Sequence, residues 1–353
     1  PTTVAGHTMP VTDVAVDPKG TLMATASADG TVRISQVADG KFVRALVGHK
    51  GAVNAVSFSN TGTHIATGGA DGTARLWTVA DGKQTAIFEH GSVVSAVLAV
   101  GVGTQVISGG TDKFVRQWDP VAKPDEETKK VKPLREISGH TAAIISLALT
   151  GTTLASGSAD KTVKLWNSAT GAAVRTITHP VAVSSIAFSP NGTQIVVTGA
   201  DPAVKIYTVA NGSAVATLEG APAALTGVAF SPSGSRVAAT GADGLRVWDA
   251  KGPLLQHFPT GAVVLRGAAF AASEETIVAG AANNSGQVFR VALAKQLTGH
   301  IGEVTGLAWN AAGTQILSGG ADKTVRLWTI ANETSKPFAG PTGEVTSVAL
   351  TAD

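Results

Sequence analysis

The chain has 353 residues, of which 44% are hydrophobic and 15% are charged, and its formal net charge is +2. This composition supplies enough apolar side chains for a large core and excludes an intrinsically disordered chain. The absence of cysteine excludes disulfides and thiolate sites, and the small charge excess gives no long-range attraction for nucleic acid.

The first elements along the chain are short strands that are separated by turns. One clear set of four strand-like runs is formed by residues 53–58, 64–67, 73–77 and 84–88. The dipeptide Asp71-Gly72, between the second and third runs, is typical of a tight hairpin turn. No segment has a convincing helical period or the roughly 18 apolar residues of a membrane span, so we predict an all-β fold with no span.

This four-strand pattern returns about every 42 residues. The segment 69–77, Gly-Ala-Asp-Gly-Thr-Ala-Arg-Leu-Trp, recurs with small changes at 158–166 and 320–328. The turn aspartates of seven copies are Asp29, Asp71, Asp112, Asp160, Asp201, Asp243 and Asp322. An eighth copy near Asn283 has lost both the Asp and the Trp. Such repeats predict a β-propeller of eight four-stranded blades, in a single domain over residues 1–353.

The closure of this ring has more than one interpretation. Nine segments fit a first strand, the last at 345–350, so seven blades or part of a longer array are alternatives to eight. Residues 2–5 are a candidate outer strand that would close the ring with strands from both ends. The start at Pro1, without a Met or a signal-like segment, is consistent with a region of a longer multidomain chain.

One repeat is lengthened by an insertion at residues 120–133. Its charged side chains are Lys123, Asp125, Glu126, Glu127, Lys129, Lys130 and Lys132. A short segment of this composition is typical of a mobile surface loop.

Two markers recur at a fixed separation in most repeats. A Gly-His dipeptide precedes the first strand at Gly6-His7, Gly48-His49, Gly139-His140 and Gly299-His300. A tryptophan ends the third strand at Trp77, Trp118, Trp166, Trp248 and Trp328. In these residues the chain resembles the WD40-repeat family of β-propellers.

The resemblance implies that each complete repeat contains a structural hydrogen-bonded set of His, Ser or Thr, the turn Asp and Trp. The four complete sets are His49, Thr67, Asp71, Trp77; His90, Ser108, Asp112, Trp118; His140, Ser156, Asp160, Trp166; and His300, Ser318, Asp322, Trp328. The repeats with an incomplete set are expected to be less rigid. His64 and His257 lie outside the pattern and are expected to be ordinary surface residues.

Ser, His and Asp together also suggest a catalytic triad. A hydrolase needs one optimised nucleophile, whereas here the trio recurs in several repeats, so we interpret it as structural and predict no enzyme, no cofactor and no metal site. Basic residues two positions before the Trp or its substitute form a second regularity: Arg33, Arg75, Arg116, Lys164, Lys205, Arg246 and Arg326. We expect their stems to lie over a neighbouring blade with their charged ends in water.

The resemblance also implies that partners bind the face that carries the loops before the first strands and the turns between the second and third. The candidate contact residues on this face are Met9, Lys50, Asn54, Thr111, Ile145, Leu225, Arg266 and Glu303. Alanine occupies most positions before the turn Asp, which favours weak or multivalent binding over a tight peptide pocket.

We therefore predict a non-catalytic scaffold for protein–protein interaction or assembly. One alternative is a propeller enzyme with a site in the central channel, although Asp13, Asp17 and Arg266 are the only charged residues of the predicted inner strands. Another is a binder of nucleic acid or other polyanions through the basic ring, which the near-zero net charge disfavours. The composition is compatible with a soluble protein that is cytoplasmic or exported to a cell envelope, including that of a bacterium.

Overall fold

The fold consists of antiparallel strands and turns. This computed structural model describes residues 1–128, 130–291, 297, 299–310, 312–330, 334–338 and 340–350. Within them, the strands form eight four-stranded sheets and there is no helix, which confirms the all-β class and the eight four-stranded repeats. No helix among these residues could therefore span a membrane. The chain divides into two compact units, 1–291 and 292–353, and the single domain over residues 1–353 stays a prediction.

Six sheets of the first unit each contain four strands that are consecutive in the sequence. Their bounds are β2 Val11–Val16, β3 Leu22–Ser27, β4 Thr31–Gln36, β5 Phe42–Val47; β6 Val53–Phe58, β7 His64–Gly69, β8 Thr73–Thr78, β9 Gln84–Glu89; β10 Val94–Val100, β11 Gln105–Gly110, β12 Val115–Trp118, β13 Arg135–Ile137; β14 Ile144–Thr150, β15 Thr153–Ser158, β16 Thr162–Asn167, β17 Ala173–Thr178; β18 Val183–Phe188, β19 Gln194–Gly199, β20 Val204–Thr208, β21 Ala214–Leu218; and β22 Leu225–Phe230, β23 Arg236–Gly241, β24 Gly244–Asp249, β25 Leu254–Pro259. We call the first strand of each sheet its inner strand.

The seventh sheet closes the ring of the first unit. It contains β26 (Leu265–Phe270), β27 (Thr276–Ala281) and β28 (Ser285–Arg290), and its outer strand is β1 (Thr2–Val4) from the start of the chain. Thr2 pairs with Val288 and Val4 with Gly286. Inner strand β26 packs against β2 on one side and β22 on the other, so seven sheets complete the ring. The ring thus corresponds to the seven-bladed alternative, closed by the predicted N-terminal outer strand.

The second unit contains the eighth sheet, formed by β29 (Val304–Trp309), β30 (Gln315–Gly320), β31 (Val325–Thr329) and β32 (Thr334–Phe338). The predicted ninth inner strand, residues 345–350, is not a strand. It nevertheless lies beside this sheet, because Thr305 Oγ1 donates a hydrogen bond to the Val345 carbonyl oxygen. Thr226 makes the same contact with Leu265, where the next inner strand of the ring begins.

Neighbouring sheets of the ring share apolar cores. Ala24 and Ile34 of the first sheet form one buried cluster with Val53 and Phe58 of the next inner strand. Sheets approach closely because second strands carry small residues: a Cβ placed on Gly68 would lie 2.5 Å from Val94. Removing these apolar surfaces from water is the main stabilising contribution to such a ring.

The inserted segment 120–133 is anchored to the ring. Lys130 Nζ lies 2.7 Å from Glu89 Oε2, and Lys132 Nζ lies 2.7 Å from Asp125 Oδ2. Val131 packs against the cluster that contains Ala86. Residue 129, a lysine of the predicted loop, lies outside the described residues.

One substitution in the turns between the second and third strands is expected to raise the stability of the fold. Gly72 takes a positive φ of 76° in its turn, and Lys161 takes 67° at the equivalent position. A non-glycine residue in the left-handed region is strained, so Lys161→Gly should raise the free energy of unfolding by about 0.5–1 kcal/mol. Urea denaturation measures this, with Gly72→Lys as the reciprocal variant. A loss of stability in Lys161→Gly would show that the lysine side chain contributes more than the backbone strain costs.

Candidate functional site

The fourth sheet shows the full geometry of a His, Ser, Asp and Trp set. His140 Nδ1 lies 2.8 Å from Asp160 Oδ2, and His140 Nε2 lies 2.7 Å from Ser156 Oγ. Trp166 Nε1 donates to Ser156 Oγ over 2.8 Å. The strands place these groups together: Ser156 is on β15, Trp166 is the last residue but one of β16, and Asp160 lies in the turn between them.

The protonation state of His140 fits a continuous chain of donors and acceptors. Burial lowers the pKa of His140, against the opposite effect of Asp160, so the ring is neutral at pH 7. A neutral ring donates through Nδ1 to Asp160 and accepts the Ser156 hydroxyl proton at Nε2. Burial alone would raise the pKa of Asp160, but hydrogen bonds from Thr162, Thr141 and His140 hold it at about 2.

This geometry argues against a catalytic role for the serine. Ser156 has no exposed surface, and its oxygen already accepts the indole proton of Trp166. A nucleophile must be reachable by substrate and lie beside an oxyanion hole. The set therefore links two strands and the preceding loop.

The structure also brings together the other three complete sets. His49 Nδ1 lies 3.0 Å from Asp71 Oδ1 and Nε2 lies 2.8 Å from Thr67 Oγ1, which also accepts from Trp77. In the third sheet the remaining distances are 2.8 Å for His90 to Ser108, 3.1 Å for His90 to Asp112 and 2.7 Å for Trp118 to Ser108. In the second unit they are 3.0 Å for His300 to Asp322, 2.7 Å for His300 to Ser318 and 2.6 Å for Trp328 to Ser318.

Repeats with incomplete sets use substitute contacts. Tyr207 Oη lies 3.0 Å from His179 Nδ1 in the fifth sheet. Trp248 Nε1 in the sixth donates to the carbonyl oxygen of Glu219 over 2.7 Å. His257, expected to be an ordinary surface residue, is only partly exposed, and its Nε2 lies 3.1 Å from the Asp243 carbonyl oxygen.

The structure adds a fifth member to the set, a threonine that the sequence analysis did not include. The threonine two positions after the turn Asp donates through its hydroxyl to the aspartate, over 2.7 Å from Thr31, 2.8 Å from Thr73, 2.6 Å from Thr162 and 2.8 Å from Thr324. The signal was present, because Thr follows the turn Asp at this spacing in these four repeats.

The basic residues of the third strands are engaged within their own sheets. Arg75 Nη2 lies 3.2 Å from Asp71 Oδ2, and Arg116 and Arg246 each lie close to the Asp of their own turn. Arg33 lies 4.2 Å from the ring centre of Phe42. The expectation that their charged ends remain in water is thus wrong for Arg75, Arg116 and Arg246, because the turn carboxylates lie within reach. These three arginines, already paired with carboxylates, offer little positive charge to a polyanion.

The central channel of the first unit has a volume of 620 Å³ and is lined by its seven inner strands. Asp13 is the one charged residue in this lining. Its oxygens accept hydrogen bonds from the backbone N–H groups of Val14 over 2.9 Å and Val56 over 3.0 Å. Burial, which outweighs these hydrogen bonds, raises the pKa of Asp13 to about 7. Asp17 instead caps its own turn, accepting from the N–H groups of Thr21 and Leu22.

The candidate partner residues of the first unit fall into three environments. Met9, Lys50, Thr111 and Arg266 are exposed. Asn54 and Ile145 line the channel instead of the rim. Leu225 is 2% exposed and cannot contact a partner, because it begins an inner strand and packs between sheets. Glu303 is exposed in the second unit.

The exposed candidates Met9, Lys50 and Thr111 share one end of the ring, whereas Arg266 lies within inner strand β26. An inner strand begins at the end where its antiparallel neighbour finishes, so the loop before it and the turn after the second strand are adjacent. We call this end the loop face, defined by the segments before the inner strands and the turns between second and third strands of residues 1–291. Among the described residues, no group of three or more His, Asp or Glu side chains could hold a metal ion.

Comparison with known families agrees with this architecture. The family model described as WD domain, G-beta repeat, matches residues 1–34, 40–78, 82–119, 131–167, 171–208, 212–249 and 292–329. The unmatched stretch 250–291 contains the copy that lacks the Asp and the Trp.

Curated relatives match a short part of the chain. Eukaryotic translation initiation factor 3 subunit I from two strains of Aspergillus fumigatus (CBS 144.89 / FGSC A1163 / CEA10 and ATCC MYA-4609 / CBS 101355 / FGSC A1100 / Af293) is 46% identical over 56 residues. The match covers 15% of this chain and 16% of the relative in each case.

Proposed function

Because the chain belongs to the WD40-repeat family, we propose that its ring in residues 1–291 is a non-catalytic scaffold that binds other proteins through the loop face. The observation that carries this proposal is that the polar groups of the complete repeats bond to one another. Ser156 and Thr67 have no exposed surface and both accept from a tryptophan indole. Buried side chains that bond to one another in this way stabilise the strands that present the loop face, and they are not available for catalysis.

The exposed residues of the loop face support weak or multivalent binding. Met9 is 48% exposed, and the exposed Lys50 adds positive charge at the rim. The alanines before the turn aspartates add little side chain, so several small contacts would have to act together. The matched Aspergillus relatives are named as a subunit of an initiation factor, and a subunit role agrees with a protein that holds others.

The channel gives weak support to the enzyme alternative. Asp13 has a pKa near neutrality, as a general base requires. Both of its oxygens nevertheless accept backbone N–H groups, and no other charged side chain lines the channel to share in the chemistry. The scaffold role also accounts for the recurrent hydrogen-bonded sets, which a single residue of the channel does not explain.

Site-specific photo-crosslinking in cells tests which face binds. A benzophenone amino acid at Met9, Lys50 or Thr111 should give the same crosslinked protein, because these residues are exposed on one face. The controls are Asn60 and Lys83, which are exposed in turns at the opposite end of the ring. Lys50→Glu should weaken the Met9 crosslink about fivefold while leaving the melting temperature unchanged. Equal crosslinking from both ends would contradict the assignment of the loop face.

A turnover screen tests the absence of catalysis. The chain should show no activity above background with hydrolase, lyase or dehydrogenase substrates, since its recurrent Ser, His and Asp groups are structural. A folded His140→Ala variant and an Asp13→Ser variant are measured beside it. Robust turnover that either variant abolishes while its circular dichroism spectrum remains that of the folded parent would make this protein an enzyme.

A further inference from the structure

Arginines on outer strands fasten neighbouring sheets of the ring. Arg175 on β17 donates to two carbonyl oxygens of the next sheet, that of Ala210 over 2.7 Å and that of Asn211 over 3.2 Å. Arg135 on β13 likewise donates to the Ser168 carbonyl oxygen over 3.2 Å. In each case the acceptors lie in the hairpin between the third and fourth strands of the following sheet.

Strand register shows which outer-strand positions are equivalent. Arg175 pairs with Leu165, the residue before Trp166, and Ala216 pairs with Ile206, the residue before Tyr207. Arg44 holds the same position in the first sheet and packs against the next hairpin, where a Cβ on Gly82 would lie 3.3 Å from its Cδ. Arg135 also holds this position, because it pairs with Gln117, the residue before Trp118. The fifth sheet therefore has alanine where three others have arginine.

The alanine leaves a groove in place of the guanidinium. A cavity of 420 Å³ lies at this seam, and its lining includes Ala216 of β21, Ser235, and Asp249, Ala250 and Lys251 of the next sheet. We call it the Ala216 groove. The second sheet also has alanine at this position, Ala86, but there Val131 of the insertion packs against the same cluster.

The charge of the groove differs from that of the occupied seams. The residue after the Trp or Tyr is neutral in the sheets that receive an arginine: Thr78, Asn167 and Thr208. At the Ala216 groove this residue is Asp249, which forms no ion pair with any described residue. Its Oδ1 accepts the Lys251 N–H over 2.7 Å, which fixes the carboxylate at the groove. Lys251 itself is exposed at the rim, as Lys83 is at the seam that receives Arg44.

We propose that the Ala216 groove binds an arginine side chain that is presented by a protein partner. The groove lies where Arg175 lies at the preceding seam, and it borders the corresponding hairpin, residues 250–253, which is one residue shorter than 209–213. It adds a carboxylate to pair with the incoming charge. Arginine fits better than lysine because a planar guanidinium can donate to a carboxylate and to carbonyl oxygens at once. The groove lies among the turns opposite the loop face and does not depend on that assignment.

A ligand titration tests this site in the full chain. The probe is N-acetyl-arginine methylamide, and the matched control is the citrulline analogue, which has the same shape without the charge. The arginine probe should shift the backbone amide NMR signals of Ala216, Ser235 and Lys251 in a saturable way, with a dissociation constant on the order of 1 mM. The citrulline analogue should bind at least about fivefold more weakly.

Variants of the chain separate this groove from general charge pairing. Ala216→Arg should abolish the shifts, because its own guanidinium occupies the groove as Arg175 does at its seam. Asp249→Asn retains an oxygen for the Lys251 N–H, so it should stay folded and weaken the probe about fivefold. Ala86→Arg, at the seam covered by Val131, should leave probe binding unchanged. The proposal would be overturned if the citrulline analogue gave equal shifts, or if the shifts were confined to other parts of the chain. It would also be overturned if the arginine probe still bound a folded Ala216→Arg variant, or bound Asp249→Asn as well as it binds the parent.

Discussion

Asp160→Ala should lower the free energy of unfolding by about 3 kcal/mol, since it removes a carboxylate that four donors share. Asp160 Oδ2 accepts from His140 Nδ1 over 2.8 Å and from the Thr141 N–H over 2.9 Å. Its Oδ1 accepts from the Thr162 N–H over 3.0 Å and from the Thr162 hydroxyl over 2.6 Å. In the alanine variant the buried His140 Nδ1–H keeps only the Thr162 hydroxyl, 3.3 Å away, and the turn loses the carboxylate that joins Thr141 to Thr162.

The measurement is urea denaturation of the purified chain, followed by tryptophan fluorescence and circular dichroism. Lys161→Ala is the matched control, because its side chain is exposed one residue away and its backbone keeps the same turn. A double variant, Asp160→Ala with Ser156→Ala, should lose less than the sum of the two single variants, since both residues bond to His140. Equal stability of Asp160→Ala and the parent would show that the set does not fasten this sheet.

The local parts of this fold could be predicted from sequence because each sheet is encoded within about 42 residues. The dipeptide Asp71-Gly72 fixes a tight hairpin, and the spacing of His49 and Trp77 fixes the ends of the strands around it. These signals depend on neighbours in the chain. The all-β class and the eight sheets followed from them and are confirmed.

The closure of the ring could not be derived in the same way. It depends on the angle between sheets and on whether a distant strand completes the last one. The outer strand of the seventh sheet is Thr2–Val4, which joins it through pairs such as Thr2 with Val288. A pairing between residues so far apart leaves no periodic signal, and the three-residue strand is too short to stand out.

Side-chain partners were predicted only where they recur. The position of Leu225 after a loop suggested exposure, but the bulge that follows it turns its side chain into the core, where it is 2% exposed. The pairing of Arg116 with Asp112 needed the register of β11 and β12. The roles of the loop face and of the hydrogen-bonded sets in binding and stability stay predictions.

The environment of Asp13 shows how one position can vary while the architecture is kept. Asp13 pairs with Ala26 just after a bulge, and Ser146 pairs with Gly157 just after the equivalent bulge in the fourth sheet. Ser146 Oγ accepts the Ile186 N–H over 3.2 Å, as Asp13 Oδ2 accepts the Val56 N–H over 3.0 Å. The same link between inner strands is therefore made once by a neutral hydroxyl and once by an ionisable carboxyl.

This difference predicts a dependence of stability on pH. The pKa of Asp13 rises from 3.8 to about 7 on folding, mainly because burial disfavours the charged form. A raised pKa stabilises the fold fully below pH 3.8, and this stabilisation is lost as the pH rises towards 7. The side chain is partly exposed to the channel, where water screens the charge, so we expect a loss of about 2 kcal/mol rather than the roughly 4 kcal/mol of the full shift.

Asp13→Ser isolates this contribution, because serine can accept the Val56 N–H as Ser146 accepts that of Ile186. The stability of Asp13→Ser relative to the parent should increase by about 2 kcal/mol between pH 4 and pH 8. Buried histidines such as His140 have lowered pKa values and act in the opposite direction, since their stabilisation is lost as the pH falls below 6.5, but they are common to both proteins and cancel in the difference. The reciprocal variant, Ser146→Asp, should introduce the same loss at high pH in the fourth sheet. A stability difference between Asp13→Ser and the parent that does not change from pH 4 to pH 8 would mean that Asp13 is ionised in the folded ring at every pH in this range, with channel water as its solvent.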